Sequence, residues 1–528
     1  MNPTAAQAQV EAQVEAQVEG QVEGQVEGQV EGQVEVGGFA ASRERFTTVL
    51  GFLDSTAAAA VSHAELEVHL QVAGRELFRQ LYQDHLDLRA QREIRVAVHD
   101  ADRAARPRVE TGHTRALSTV FGTVEVTRIA YRAPERSNLH PADGVLNLPT
   151  ERHSHGLRRL AAVEATRGSF DDAVTGIAQA TGQRLGKRQV EQLAARAAVD
   201  VDAFYTARTP PPEPGEEVLV LSCDGKGIVM RADALRPATA AAAAVATPKL
   251  ATRLSKGEKR NRKRMAEVGT VYDITPRPRT PADIFPATGD DGAEPAPGPL
   301  TTNKWLLASV VDNAASVVDQ IFAEAGRRDP THARTWIALV DGNNHQINRI
   351  TAEAHARDVP ITIIIDLIHV LEYLWKAAWS FHPEADPAAE AWVRRHALTI
   401  LAGKATRVAG SIRRQATNAG LTPAQRAGAD TCATYLTNKA PYLDYPTALQ
   451  RGWPIATGVI EGACRHLVKD RMDITGARWG LTGAEAILKL RAVRCNGDLD
   501  AYWTYHLAQE RHRVHQSRYA NNVVPQAA

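Results

Sequence analysis

The chain has 528 residues, enough for two to four domains with at least one large core. Apolar residues make up 44% and charged residues 23%, an ordinary globular balance, and the formal charge of +1 leaves any case for an anionic partner to local charge. Four scattered cysteines, Cys223, Cys432, Cys464 and Cys495, form no CxxC pair, which argues against a zinc finger and fits a reducing cytoplasm.

The N-terminus lacks a basic start followed by an apolar run, so no secretory signal is expected. Residues 9 to 35 repeat Gln-Val-Glu-Ala and then Gln-Val-Glu-Gly. Their glycines and acidic charge predict a disordered or weakly helical tail over 1–43. Residues 44–150 read as a helical region, with Leu66, Leu70, Leu77, Leu81 and Leu86 at roughly helical spacing. Inside it, Ser118 to Pro134 alternates like two short strands turning at Phe121-Gly122.

Residues 151–208 read as a helix-turn-helix-like DNA-binding region. Ser169 is a candidate N-cap with Asp172 three residues on, and Thr181-Gly182 falls at the turn. The second helix would present Lys187, Arg188, Gln189, Gln192 and Arg196 outward. The proline-rich run over 209–217 is expected to be a linker between domains.

Beyond it strands alternate with helices. One apolar strand ends in Asp224, a second follows over Lys226 to Arg231, and others cover Thr270 to Ile274 and Trp305 to Val311. A helix over Ser316 to Arg328 leads to a strand ending in Asp341, and a helix over His345 to Asp358 to a strand running into a helix at Asp366. The apolar run from Ile361 is broken by that aspartate and is too short to span a bilayer. The pattern predicts an α/β mixed sheet with helices on its faces, built from 218–370 and 450–497. An all-helical insertion is expected over 371–449 and a tail over 498–528.

Two apolar strands ending in Asp224 and Asp341 would aim both carboxylates into one crevice if they are neighbours. Paired carboxylates repel unless a cation lies between them, and hard oxygen donors favour Mg2+ or Mn2+. Glu461, on an expected helix that also carries Arg465 and Lys469 one and two turns on, is the candidate third acid. Taken singly, the two Asp-Gly pairs are common turn formers, and the Glu461 stripe is a common exposed helix face.

The runs LSCDGKG, ALVDGNN, IIDLIHVLEYLW and GVIEGACRHLVKDRMDITGARWG, in that order, resemble the DDE transposases of bacterial insertion sequences, ISKra type, more distantly the Mutator-like group. The last run is specific and the first two are not. The resemblance spans about Phe121 to Asn496. It implies an RNase-H-like fold, two divalent metal ions, DNA strand transfer and a homo-oligomer. By it, the first acid falls on Asp224 and the glutamate on Glu461. The second acid is Asp341 or, through the Asp366-Leu-Ile-His369 run, Asp366; His369 then supports the site or contacts DNA.

DNA contacts are expected from the most basic window, with Lys256, Lys259, Arg260, Arg262, Lys263 and Arg264 on a loop between strands. A second patch, Arg465, Lys469, Arg471 and Arg478, lies beside Glu461. Trp375, Trp379 and Phe381 fit core packing better than DNA wedging. The expected activity is metal-dependent cleavage and joining of double-stranded DNA in the cytoplasm, at the nucleoid. The rivals are an RNase-H-like nuclease that does not join ends, an inactive DNA-binding regulator, and a metal hydrolase of small phosphates.

Overall fold

The computed structural model describes residues 38–209, 217–246, 250, 252–253, 255, 262–286 and 296–526. The glutamine-valine repeat, most of the proline-rich run, and Lys256, Lys259 and Arg260 lie outside the described residues. The chain divides into two compact units, residues 1–146 with 518–528, and residues 147–517.

The first unit holds a helical hairpin and a β-hairpin. Helix α1 is Ala40–Leu53, and helix α2 is His63–Arg92, which begins in a capping box between Ser62 and Glu65. Strands β1 (Arg108–Thr119) and β2 (Gly122–Arg132) pair antiparallel. The hairpin is longer than its sequence signal: β1 reaches back to Arg108 and the turn is Val120-Phe121. A small core of Val98, Ile129, Tyr131 and Leu139 is closed by Tyr519 and Val524 from the chain's far end.

The second unit starts with helices α3 (His155–Arg167), α4 (Phe170–Thr181) and α5 (Lys187–Ala197). Ser169 and Asp172 form the expected capping box, and Gly182 ends α4 in a left-handed conformation. A five-stranded mixed sheet follows: β3 (Val218–Val229), β4 (Lys263–Thr275), β5 (Leu300–Ser309), β6 (Thr335–Val340) and β7 (Ile361–Ile365). Its order is β5-β4-β3-β6-β7; β3, β4 and β5 run antiparallel in turn, and β6 and β7 run parallel to β3. The runs VLVL and WIALV are near-continuously apolar because strands in the middle of a helix-covered sheet are buried on both faces, while ITIII, on the edge strand, is buried only at Ile364 and Ile365.

Helix α6 (Ala314–Arg328) joins β5 to β6, and α7 (Asn344–Ala356) joins β6 to β7. Helices α8 (Leu367–Ala378), α9 (Pro387–Leu401), α10 (Ala405–Asn418) and α11 (Ala427–Lys439) make up the expected helical insertion, and their buried side chains share one core with the sheet. Trp375 packs against this core and Phe381 stacks near Trp392, while Trp379 is partly exposed. Then come α12 (Gly458–Ala463), α13 (Leu481–Cys495) and α14 (Leu499–Val514).

Several elements differ from the sequence reading. The strand carrying Asp224 does not end there. It continues unbroken to Val229, because the apolar residues after Gly225 keep pairing with β4. Residues 263–267 are strand rather than loop. The segment read as one helix from Gly458 to Trp479 is an α-turn followed by a π-helical stretch, Cys464–Lys469. The expected C-terminal tail holds α14, whose Tyr502, Trp503 and His506 are buried.

Candidate functional site

Strand β3 keeps two neighbours only part of the way. Its parallel ladder with β6 ends at Leu221 and Ala338, while its antiparallel ladder with β4 runs on to Val229 and Lys263. Ser222 adds one more tie, its hydroxyl donating to the Leu339 carbonyl at 2.6 Å. Carrying the same register three residues past Leu221 and Ala338 sets Asp224 beside Asp341. There β6 has given way to the turn into α7, and the sheet opens into a cleft of about 380 Å³. Asp224, Glu267, Asp341, His345, Gln346 and Arg349 line it.

Asp224 Oδ1 accepts the Gly225 N–H at 2.7 Å, and Asp341 Oδ1 accepts the Asn343 N–H at 2.8 Å. Among the described residues, the other Asp224 oxygen accepts only a thiol, Cys464 Sγ at 3.4 Å. Burial first, and then the Asp224 charge, push the Cys464 thiol up, so it stays protonated and donates. Glu461 lies one turn before Cys464 on α12, which packs on β3 and β4, and its exposed carboxylate adds to the same upward push. The structure therefore brings Asp224 and Asp341 to one cleft and the Glu461 helix against the Asp224 strand.

Asp366 has different surroundings. It is fully buried, and it caps α8 by accepting the Ile368 N–H at 2.7 Å. Its second oxygen accepts the Thr457 N–H at 3.1 Å and the Thr457 hydroxyl. Thr457 is the residue from which α12 springs. His369 Nδ1 lies 3.6 Å from the same oxygen, an ion-pair distance rather than a hydrogen bond. Burial alone would raise the Asp366 carboxyl; His369, Thr457 and the Ile368 N–H outweigh it and hold the group low, and Asp366 in turn raises His369.

The helical insertion reaches the same end of the sheet. Gly342, at φ +90°, has the Tyr435 hydroxyl 2.5 Å from where a Cβ would lie. Tyr435 stacks on Tyr373 with ring centroids 3.9 Å apart, and the buried Lys439 donates to Asn344 Oδ1.

One cleft acid was absent from the sequence reading. Glu267 sits on β4 opposite Gly225, and its Oε2 would be 3.5 Å from a Cβ there. Burial pushes its carboxyl up, Asp224 adds to that, and Arg236 opposes it. The available signal was an acid between alanine and valine within a strand. A separate cavity, also about 380 Å³, is lined by Trp305 and Leu307; there Arg327 pairs with Glu324, and Lys489 with Asp202.

The expected DNA-contact residues fall into two groups. Lys187, Arg188, Lys263, Arg465 and Lys469 are exposed, with Lys187 in an ion pair to Asp171 and Arg465 3.8 Å from Asp470. Arg262 lies just before β4. Arg264 is partly buried, its Nε donating to the Val310 carbonyl at 2.7 Å. Arg471 corrects the sequence reading. It is buried, donates to the Ala165 carbonyl at 2.8 Å, and lies between the Phe170 and Trp479 rings. Burial lowers its pKa to about 10, and its place is inside the fold rather than on a phosphate.

Carboxylates side by side, neither of them in an ion pair among the described residues, are the donor set a hard divalent cation takes. Among the described residues no three His, Cys, Asp or Glu side chains close on a common point. Like-charged carboxylates repel unless a cation lies between them, and the chemistry of these donors fits a hard divalent cation.

No protein-family profile matches the chain, and no curated protein matches it. Among solved structures, a chain of the Drosophila P element transposase strand transfer complex is similar over 66% of this chain and 79% of its own length. The identity is 8% and the TM-score 0.24, a likeness that carries no argument about fold or function. Among the described residues no helix is long and apolar enough to cross a membrane.

Proposed function

We propose that the chain is a divalent-cation-dependent DNA transposase with an RNase-H-like core, in which Asp224, Asp341 and Glu461 are the acidic triad. The observation that carries this reading is the register of β3 on β6. Carried three residues past its last pair, it leads Asp224 and Asp341, neither in an ion pair among the described residues, to the wall of one cleft, with the helix of a third acid packed on the same strand. The strand order supports the reading: three antiparallel strands, then two parallel to the first, as in RNase-H-like sheets. The motif resemblance supplies DNA as the substrate.

Bound at Asp224, Asp341 and Glu461, Mg2+ or Mn2+ ions would supply an activated water and a counter-charge for the leaving 3′ oxygen. The chain's own residues do the rest. Asp366 fixes Thr457 and with it the start of α12, so Glu461 is presented from a tethered helix end. The Cys464 thiol steadies one Asp224 oxygen. Arg349 and His345, at the cleft wall, offer donors to a phosphate. In the first step a water oxygen bonds to phosphorus and the bond to the 3′ oxygen breaks. In the second step that 3′ hydroxyl attacks a phosphorus of target DNA, and again one P–O bond forms as another breaks. Lys263, Arg465 and Lys469 are assigned to backbone phosphates, Lys187 and Arg188 to the element's ends, and Asp341 rather than Asp366 to the second acid.

The test is cleavage and joining of DNA carrying the flanks of the coding sequence, with Mg2+ or Mn2+. Asp224→Asn, Asp341→Asn and Glu461→Gln should each lower cleavage by well over the roughly 10- to 100-fold typical of outer-shell changes. Unchanged cleavage in Asp224→Asn would remove the assignment and leave a DNA-binding regulator. Cleavage without joining in the wild type would leave a nuclease.

A further inference from the structure

We infer that the chain binds a small phosphate monoester at the end of the sheet away from the acid cleft. A donor-lined cavity beside a bulge in β5 takes the phosphate, and an adjoining apolar cavity takes the organic group. The inference does not depend on the proposed activity.

Strand β5 is irregular where the first cavity lies. Val271 of β4 pairs with Trp305 and Asp273 with Thr302, so Asn303 and Lys304 together face the single residue Tyr272. Asn303 takes up the extra residue in a left-handed conformation, at φ +49°. A regular strand points successive side chains to opposite faces, and a bulge re-aims them. Here Asn303, Lys304 and Trp305, three in a row, line one cavity of about 280 Å³. Arg208, Arg327, Arg328 and Arg334 line it from three other segments. Asp273, on the same wall, pairs with Leu219, five residues before Asp224 on β3, so the cavity stands roughly 16 Å along the strand from the acid cleft.

The five cations and their carboxylate partners nearly cancel in charge, but their donors and acceptors do not match. Asp273 has both oxygens taken, by Arg334 at 2.6 Å and Asn303 at 2.7 Å. Glu324 has both taken by Arg327 and Arg328 at 2.7 Å. Asp329, which accepts the Arg334 backbone N–H, is also held by the Ala333 N–H and the Trp336 indole. Asp498 accepts from Arg208 at 3.1 Å and the Tyr205 hydroxyl at 3.0 Å on one oxygen. Donors remain. The Nε1 of Trp305, a residue 5% exposed, and the Nε of Arg334, whose side chain is 9% exposed, are buried with no acceptor among the described residues. Lys304 is exposed and in no ion pair among the described residues. Buried donors without acceptors are costly, and an occupant rich in acceptors relieves that cost.

A phosphate presents three oxygens in separate directions, which suits donors arriving from four segments; a carboxylate takes its donors in one plane. Arg208, Trp305 and Arg327 also line the adjoining cavity of about 380 Å³, so the two spaces share a wall. On that side Tyr205 meets Trp305 edge-on, 5.4 Å between centroids, and stands with Leu307, Ala323 and Ala492. An aromatic group joined to the phosphate fits there, whereas a DNA duplex is far wider than either space.

Isothermal titration calorimetry of the full chain with phenyl phosphate and with inorganic phosphate tests this. One phenyl phosphate per chain should bind, roughly tenfold or more tighter than inorganic phosphate. Lys304→Ala should weaken both about tenfold, the loss of one charge-assisted hydrogen bond. Ala323→Trp, at an exposed position on the apolar wall, should remove the advantage of phenyl phosphate and leave inorganic phosphate unchanged, a comparison that holds even if the lysine variant fails to fold. Lys404→Ala, an exposed lysine of the helical insertion, should change neither. No binding of phenyl phosphate at millimolar concentration would overturn the inference and leave the cavity to solvent. Equal affinity for the two ligands would overturn the ester, and equal losses in Lys304→Ala and Lys404→Ala would overturn the site. A 5′-phosphorylated DNA strand that binds through Lys304 where phenyl phosphate does not would also overturn it, giving the cavity to a DNA end.

Discussion

Asp366 and Asp224 differ in how many donors already hold them. Asp366 accepts from Ile368 and Thr457 with no exposed surface, whereas the second Asp224 oxygen, among the described residues, accepts only a thiol. Asp366→Ala should therefore cost about 2–4 kcal/mol, the sum of a lost helix cap and buried donors left without a partner. Asp224→Ala should leave stability within about 0.5 kcal/mol, or raise it by removing repulsion with Asp341. Urea denaturation of both variants measures this, and equal losses would contradict it. The pair also sets a pH dependence. The Asp366 carboxyl is held low, so its contribution is complete above the unfolded carboxylate range, near 4, and fades as pH falls. His369 is raised, so its contribution is complete below about 6.5 and is lost as pH climbs through its higher folded value. His369→Gln should flatten stability against pH between neutral and mildly alkaline conditions. A slope in that window that survives the substitution would assign it elsewhere.

Elements set what the residue pattern could not. The chain after β6 must turn sharply at Gly342, and the positive φ there leaves its Cβ position against the Tyr435 hydroxyl. Gly342→Ala should cost about 1–3 kcal/mol from backbone strain and crowding. Tyr435→Phe on top should recover part of the loss, because it removes the crowding oxygen and leaves the strain. A double-mutant cycle in urea reads that coupling, and simple additivity would show that the hydroxyl is not the obstacle. The Asp341 turn was legible because a Val-Asp-Gly run after an apolar strand carries both the strand and the turn signal. Its counterpart at Asp224 was misleading: the same Asp-Gly signal lies in the middle of β3, where pairing with β4 overrides local turn preference. Periodicity around Glu461 carried the exposed stripe but not the helix type. Glu461, Arg465 and Lys469, counted four apart, are all exposed, but the helix is π-helical from Cys464 to Lys469, and Cys464, on its buried side, meets Asp224. Arg471 was read as a phosphate contact because a charge count carries no burial; only the packing of Phe170 and Trp479 shows it enclosed. Arg471→Ala should destabilise by about 3–5 kcal/mol with little change in the salt slope of DNA binding, since it leaves a hole lined by two aromatic rings. Arg465→Ala and Lys469→Ala should do the reverse, each lowering the salt slope by about one.

At the scale of the whole molecule, the residues that end the chain complete two separate cores. Helix α14 supplies Tyr502, Trp503 and His506 to the second unit. There the buried Arg158 meets Glu510 at 2.8 Å, and Asp200 holds both His506 and Arg513. Tyr519 and Val524, only a few residues on, close the core of the first unit and pair with Asp100 through Tyr519. No residue pattern marks this division, because α14 has apolar and charged residues on every side and reads as a solvated tail. Nested truncations separate the two roles. A chain ending at Ser517 should lose amide-exchange protection over Val98 to Leu139, because Val98, Ile129, Tyr131 and Leu139 lose the side chains that cover them. Protection in β3, β6 and α13 should remain. A chain ending at Asp498 should lose both, since Arg158 would keep Glu151 but lose Glu510, and the buried Tyr502, Trp503 and His506 would go with α14. Hydrogen exchange read by mass spectrometry distinguishes these patterns. Loss of the central sheet in the chain ending at Ser517 would mean that the two cores stand or fall together.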